Sequence, residues 1–194
     1  MILWVFLIIS VLTLCYIHDN NNVAHKKVTF FLIIFIITYF SGFRDGVGVD
    51  YESYKDFNSV LNYQNQHFWL SEPFYLYLSR FIHNTSFSYV LFFVVMSLIT
   101  VFFSLKAFKR YDSLFELVFV FILFPSIFMT SFTLVRSGAA AGIALYSIKY
   151  LENRSIKSIL SFLILIALAF TLHKSSLIFL ILPFLNSKDY KYLS

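Results

Sequence analysis

Four short stretches of this chain carry polar and charged side chains that could do chemistry, and each interrupts a strongly apolar pattern. They are Arg44 to Tyr51 in "RDGVGVDY", Glu72-Pro73, Arg136 in "TLVRSGAAAG", and His173 to Ser176 in "HKSS". Arginine can bind phosphate and stabilise negative charge that develops on a leaving group. Histidine can accept a proton, because the unperturbed pKa of imidazole is about 6.5. These residue types therefore point to phosphate binding and proton transfer.

Each stretch also has a simpler interpretation. On its own, "RDGVGVDY" is a solvated turn in which Gly46 and Gly48 permit sharp changes of backbone direction. It lacks the lysine and the strand context of a phosphate-binding loop. Arg136 can either line a cavity at membrane depth or extend to the lipid headgroups as an anchor. A lone histidine at a helix end is more often an interfacial residue than a base, and the local sequence leaves these alternatives open.

The composition indicates that these stretches belong to an integral membrane protein. The 194 residues are 59% hydrophobic and 13% charged, whereas roughly a quarter of the residues in a soluble domain are charged. Apolar segments occur near 2–17, 28–42, 86–105, 114–132, 137–151, 156–172 and 175–185. A spanning helix needs about 20 residues, and the last segment is short, so we expect six or seven transmembrane helices. The predicted fold class is all-α and polytopic, with residues 1–194 forming a single membrane domain.

Several other kinds of site are excluded at this stage. Cys15 is the single cysteine, so the chain has neither an internal disulfide nor a thiolate metal cage. The histidines and acidic residues lack metal-ligand spacing, and the net charge of +5 comes with no nucleic-acid-binding motif. We therefore predict no metal, no cofactor and no nucleic-acid partner.

The positions of the basic residues predict the orientation. One side of the predicted spans holds ten of the 15 Lys and Arg residues: Lys26, Lys27, Lys106, Lys109, Arg110, Lys149, Arg154, Lys157, Lys188 and Lys191. By the positive-inside rule this side is cytoplasmic, so the N-terminus and all four polar stretches are outside.

The largest predicted external feature is a loop of about 43–85. Within it, "SEPFYLYLSRFI" is typical of an interfacial helix that is capped by Ser71 and has Pro73 in its first turn. The alternative is that this segment only extends the next span.

In order along the chain, the polar stretches resemble motifs of the EpsG-like, Wzy-type exopolysaccharide polymerases. The matching segments are "GFRDGVGVDYESY", "EPFYLYLSRFI", "LVRSGAAAGIALYSIKYL" and "HKSSLIFLILPFL", and they extend from about Gly42 to Leu185. The resemblance implies a glycosyltransferase of the bacterial cytoplasmic membrane with a GT-C-like helical fold. Such an enzyme would polymerise oligosaccharide repeat units of capsule or O-antigen, carried on undecaprenyl pyrophosphate, at the outer face and without a metal.

The resemblance also implies roles for individual residues. The predicted catalytic residues are Arg44 and Arg136, which would bind the pyrophosphate, and His173, which would act as the base or orient the phosphate. The predicted substrate-binding residues are Asp50, Tyr51, Glu72 and Lys174. Ser137 departs from the family pattern, which often has glutamine there. Because family members usually carry further spans, we expect this chain to be the N-terminal part of a longer polymerase.

Two other functions fit the same residues. A flippase or transporter of lipid-linked oligosaccharide also needs cationic residues near phosphate, although polar residues deep within several spans would then be expected. An inactive truncated protein, or a scaffold that contacts other polysaccharide-assembly proteins, needs no active site. The sequence leaves open the sugar, the linkage and the stereochemistry at the anomeric carbon.

Overall fold

The computed structural model describes residues 2–48, 50–55, 72–85, 87–110, 113–123, 133–152 and 155–185, and their regular secondary structure is entirely helical. The α-helices are α1 (Ile2–Asn20), α2 (Val23–Gly42), α3 (Tyr51–Lys55), α4 (Pro73–Ile82), α5 (Ser88–Phe108), α6 (Leu114–Leu123), α7 (Val135–Ser147), α8 (Ile156–Leu172) and α9 (Leu182–Leu185). Two 3-10 helices, Ile148–Leu151 and Lys174–Ile181, follow α7 and α8. The predicted all-α class is confirmed for this part of the chain.

Three of the described helices are long and apolar enough to cross a membrane. The qualifying stretches are Leu3–Asn20 in α1, His25–Gly42 in α2 and Ser88–Phe108 in α5. The helix Ile156–Leu172 and the segment Lys174–Phe184 are apolar but shorter. The structure therefore supports an all-α membrane protein, while the count of six or seven spans and the GT-C-like architecture stay predictions.

The predicted interfacial segment forms a helix of its own. α4 begins at Pro73, whose fixed φ suits the first turn of a helix. It ends at Ile82, and α5 begins only at Ser88, so α4 is not a continuation of the next helix. Its capping residue is Glu72 rather than the predicted Ser71, which lies outside the described residues, and the Glu72 side chain makes no capping hydrogen bond.

α5 contributes residues to two of the hydrophobic clusters of the described structure. Its C-terminal half, including Val101 and Leu105, packs with α1, α2 and α6. Its N-terminal half, including Phe92, Phe93 and Met96, packs with α3, α4, α7 and α8. The contact with α7 is close, because a Cβ atom at Gly142 would lie 3.0 Å from the carbonyl oxygen of Thr100.

Side-chain contacts tie the helices together at the end that carries most of the described Lys and Arg residues. The Asp19 carboxylate of α1 accepts hydrogen bonds from the backbone N–H groups of Leu114 (3.2 Å) and Phe115 (2.9 Å). These groups lie in the first turn of α6, so Asp19 satisfies donors that have no partner within their own helix. Nearby, Arg110 forms an ion pair with Glu152. This capping contact between helices was not predicted.

The opposite end brings α2 close against α5. A Cβ atom at Gly42 would lie 2.9 Å from Val94 Cα and 2.6 Å from Val94 Cγ2. The chain can therefore pass α5 at this point only without a side chain. Two residues further on, the guanidinium of Arg44 lies 4.2 Å from the centre of the Phe93 ring. Gly42 thus helps to place Arg44.

Replacing Gly42 with alanine is predicted to destabilise the protein. In an ordinary helix the opposite is expected, because alanine stabilises the helix by about 1 kcal/mol relative to glycine. The added Cβ would collide with Val94 of α5, and overpacking of this kind costs about 1–3 kcal/mol. Thermal unfolding of the detergent-solubilised protein should show a lower midpoint. Thr13→Ala, at an exposed position of α1, is the control and should leave the midpoint nearly unchanged. A raised midpoint for Gly42→Ala would contradict the close packing.

Candidate functional site

The carboxylate of Glu72 is the centre of a polar cluster built from three distant parts of the chain. One oxygen, Oε2, accepts a hydrogen bond from Nη1 of Arg136, 64 positions away. The other, Oε1, lies 2.7 Å from Nδ1 of His173, 101 positions away, and accepts a hydrogen bond of 3.1 Å from the backbone N–H of Lys174. Glu72 is only 6% exposed. Its carboxylate therefore joins the start of α4, the first turn of α7 and the end of α8.

Backbone geometry explains how these segments present their side chains. Arg136 lies in the first turn of α7, after Leu134, whose carbonyl accepts the N–H of Gly138. His173 terminates α8 by adopting an extended conformation, with φ −157° and ψ 123°. Its own N–H still donates to the carbonyl of Ala169 at 2.9 Å. The imidazole therefore stands at the boundary between an α-helix and the 3-10 helix that follows.

Aromatic groups complete the surroundings of Arg136. Its Nε–H donates a hydrogen bond of 2.8 Å to the hydroxyl oxygen of Tyr54, and its guanidinium lies 4.5 Å from the centre of the Tyr75 ring. The Tyr54 ring stacks on Phe92 with centroids 4.8 Å apart. About a third of the Arg136 side chain remains exposed, at 31%. A guanidinium carries five N–H donors, so this arrangement fixes the group while leaving part of it accessible.

Both tyrosines next to Arg136 stay neutral at physiological pH. Burial raises the pKa of the Tyr54 phenol, and the charge and hydrogen bond of Arg136 oppose this shift only in part. Burial likewise raises the pKa of Tyr75. Because Tyr54 keeps its proton, its hydroxyl can accept from Arg136 and still donate a hydrogen bond elsewhere.

Arg44 packs against Phe93, a ring that adjoins the aromatic side chains around Arg136. Arg44 is buried, at 8% exposure, and its guanidinium lies over the ring of Phe93. Phe93 also stacks against Tyr51, with ring centroids 5.4 Å apart. The Tyr54 ring lies 5.8 Å from Phe93, edge to face, so the two arginines are linked through adjoining rings. Burial lowers the pKa of the Arg44 guanidinium to about 10, while neighbouring tyrosines and Asp50 favour its charged form. Arg44 therefore remains a cation at neutral pH.

The remaining predicted substrate-binding residues, Tyr51, Asp50 and Lys174, make different hydrogen bonds next to this cluster. Tyr51 donates a hydrogen bond of 2.8 Å to Asp45, and burial together with this bond raises its pKa to about 12. The carbonyl of Asp50 accepts the N–H of Tyr54 at 3.2 Å. Lys174 contacts Glu72 through its backbone N–H.

In the turn that follows Arg44, Gly46 and Gly48 have φ values of 63° and 113°, which side-chain-bearing residues rarely adopt.

Sequence reasoning missed the contributions of Tyr54, Tyr75 and Phe93. The signal for Tyr54 was its spacing from Tyr51, because residues three apart share a face of a helix. Tyr75 shows no comparable signal, since its contact with Arg136 crosses from α4 to α7. Phe93 lies in an uninterrupted apolar run of α5 that gives no indication of a cation above it.

A separate cavity of about 600 Å³ lies between α5, α6 and α7. Its lining includes Ser104 and Val120 as well as Gly138, Gly142 and Leu145 of α7. At about 100° per residue these three positions lie on the side of α7 roughly opposite to Arg136. The cavity is therefore not part of the Glu72 cluster. Within the described residues, no group of three or more His, Cys, Asp or Glu side chains could hold a metal ion.

Comparison with known proteins gives one family. The model of the EpsG family matches residues 27–194, a range that contains every residue of the cluster. No curated protein and no solved structure is significantly similar to the chain.

We predict that Tyr54→Phe weakens the folded state, because Arg136 loses a hydrogen-bond acceptor while the ring stacked on Phe92 is retained. A hydrogen bond to a charged group contributes about 1.5–3 kcal/mol. The loss should appear as a lower unfolding midpoint in detergent. In an Arg136→Lys background the same change should cost less, since one ammonium nitrogen cannot reproduce the two separated contacts of the guanidinium.

The control is Tyr77→Phe, at a tyrosine of α4 that is 67% exposed. It should leave the midpoint unchanged in either background. Equal losses from Tyr54→Phe in the presence and absence of Arg136 would show that the hydrogen bond does not hold the guanidinium.

Proposed function

Because the chain belongs to the EpsG family, whose members are Wzy-like polysaccharide polymerases, we propose that it polymerises oligosaccharide repeat units carried on undecaprenyl pyrophosphate. It would act as a glycosyltransferase at the outer face of the bacterial cytoplasmic membrane, in the synthesis of a surface polysaccharide. The observation that carries the proposal is the convergence of Arg136, Glu72 and His173. It unites a cation and a proton acceptor, which this chemistry needs in one place.

The reaction requires a leaving group of high negative charge to be stabilised as it departs. The bond between the anomeric carbon of the donor and its pyrophosphate breaks, and both bonding electrons leave with the phosphate oxygen. Arg136 is suited to bind that oxygen, since its guanidinium is held rigidly by Glu72 and Tyr54 and is partly exposed. A planar guanidinium fits phosphate oxygens well and does not lose its charge.

The acceptor sugar must lose a hydroxyl proton during the same step. His173 is the group proposed to take this proton. Its side chain is 29% exposed and lies next to Glu72, the carboxylate that also pairs with Arg136. Since Glu72 contacts both residues, the proton acceptor and the phosphate-binding cation lie on either side of one carboxylate. This arrangement suits a donor and an acceptor sugar bound next to each other.

The other predicted residues are assigned supporting roles. Arg44 is buried against Phe93, so it would act mainly through the positive potential that it adds to the site. Asp50, Tyr51 and Lys174 would contact sugar hydroxyls or phosphate at the edge of the cluster. The described members of the cluster gather at one end of the helices, which favours chemistry at one membrane face over transport between two.

The proposed orientation places this cluster outside, with the N-terminus on the same side. It is supported by the separation of charge along the helices. The cluster lies at one end of the helices. The opposite end, near the Asp19 contact, carries most of the described basic residues, including Lys109 and Arg110. Positively charged loops are typically retained in the cytoplasm.

In a host that lacks its own copy of the gene, Arg136→Gln and His173→Gln in the full-length protein should abolish long polysaccharide and leave single repeat units on the lipid. Loss of a positioned charge or base typically lowers a rate by about 100-fold or more. The readout is the length distribution of the polysaccharide, with membrane abundance of each variant measured alongside.

Matched controls are available in the same part of the chain. Arg80→Gln changes an exposed arginine of α4, and His83→Gln changes a histidine just after that helix. Both should give polysaccharide of normal length. Normal chain lengths from Arg136→Gln and His173→Gln, at normal abundance, would reject the proposed function.

A further inference from the structure

We propose that Glu72 is a positioning residue that makes Nε2 of His173 the proton-accepting atom. This inference rests on the proposed function for its chemical purpose, but its geometry does not depend on it. It differs from the expectation that Glu72 binds substrate, because the residue is 6% exposed and its carboxylate is already surrounded by two protein N–H donors and the His173 ring.

The donors around Glu72 fix its charge state. The guanidinium of Arg136 and the backbone N–H of Lys174 can only donate hydrogen bonds, so both oxygens of Glu72 must accept. An ionised carboxylate meets this requirement, and the pairing with Arg136 compensates the charge that burial would otherwise disfavour. Glu72 is therefore an acceptor toward His173 as well.

The tautomer of His173 follows from this assignment. Neutral imidazole carries one N–H and one nitrogen with a free lone pair. Because Oε1 of Glu72 lies 2.7 Å from Nδ1 and accepts, Nδ1 must carry the hydrogen. Nε2 is left with the lone pair. The nitrogen that can take a proton from substrate is thus chosen by a residue 101 positions away.

Glu72 also fixes the orientation of the ring. The same oxygen that meets Nδ1 accepts the backbone N–H of Lys174, the next residue in the chain. A single atom therefore contacts both the side chain of His173 and the backbone that carries it. The second oxygen meanwhile holds Arg136. The base and the cation are kept at one fixed separation by one carboxylate.

In the proposed step the proton of the acceptor hydroxyl moves to Nε2 as the hydroxyl oxygen bonds to the anomeric carbon. The bond from that carbon to the donor's pyrophosphate breaks, and its electron pair leaves with the lipid pyrophosphate. His173 becomes an imidazolium that keeps its Nδ1–H bond to Glu72. The carboxylate stabilises this cation, which is the usual effect of a carboxylate that orients a histidine.

Two substitutions test separately the negative charge of Glu72 and the length of its side chain. In Glu72→Gln the amide has one oxygen and one NH2 group, so the NH2 must face a donor, either at Arg136 or at His173 and Lys174. In Glu72→Asp the charge is kept, but the side chain is shorter by one methylene and cannot contact both partners. Nδ1 of His173 loses its acceptor when the NH2 faces His173, or when the shorter side chain turns to Arg136, so both variants should contain a mixture of tautomers.

The experiment uses the full-length protein in lipid nanodiscs, with a synthetic lipid-pyrophosphate repeat unit as substrate. Nitrogen-15 NMR of labelled histidine reports which ring nitrogen of His173 is protonated, and polymer formation gives kcat and KM. We expect the Nδ1–H form in the unaltered protein and a mixture of tautomers in both variants. We also expect kcat to be about 100-fold lower in both variants, with KM changed far less. Glu116→Gln, at an exposed glutamate of α6, is the control.

Combining variants distinguishes positioning from a general loss of structure. In a His173→Gln background, Glu72→Gln should lower the residual rate little further, because residues that act as one unit are not additive. A full additional loss there, or an unchanged tautomer in both Glu72→Gln and Glu72→Asp, would overturn the positioning role. If the unaltered protein forms no polymer while the tautomer still changes, the proposed function fails and the pairing of Glu72 with His173 stands.

Discussion

The described structure depends on one buried carboxylate that must be compensated by groups from elsewhere in the chain. Glu72 lies immediately before α4, and its partners are Arg136 at the start of α7 and His173 at the end of α8. An ionised group in such surroundings is stable only when it is paired and fully hydrogen-bonded. The requirement therefore ties three helix ends together and favours a packing of these helices that brings all the partners within reach.

The helix packing makes that meeting possible. α5 presents Phe92 and Phe93 to the aromatic side chains of α3 and α4, and these rings carry Arg136 and Arg44 on their faces and edges. Small residues bring the neighbours close, as Gly142 does where α7 meets α5. Aromatic faces attract cations, and the attraction strengthens when both groups are withdrawn from water. The charged cluster thus packs against a layer of aromatic side chains and is partly withdrawn from solvent.

Local patterns in the sequence predicted the parts of this arrangement that have local causes. The apolar segments, the separate helix after Pro73 and the four polar stretches all depend on residues near one another. The partners of Glu72 lie 64 and 101 positions away, and nothing in the surrounding residues specifies them. Asp19 likewise caps α6 across 95 positions. The role proposed for Glu72 differs from the substrate-binding role expected from the sequence for the same reason, because a carboxylate in a sequence does not reveal whether its donors belong to substrate or protein.

A carboxylate is at first sight a poor choice beside a site proposed for pyrophosphate, since like charges repel. Its pairing with Arg136 resolves the difficulty, because the charges of the pair cancel and the proposed reaction starts with His173 uncharged. Positive charge then appears at His173 only as it takes the proton, which is when negative charge grows on the departing phosphate. Interactions that strengthen during the reaction accelerate it, whereas equal binding of substrate and transition state does not. Glu72 would therefore limit binding of the ground state while stabilising the imidazolium that forms during transfer.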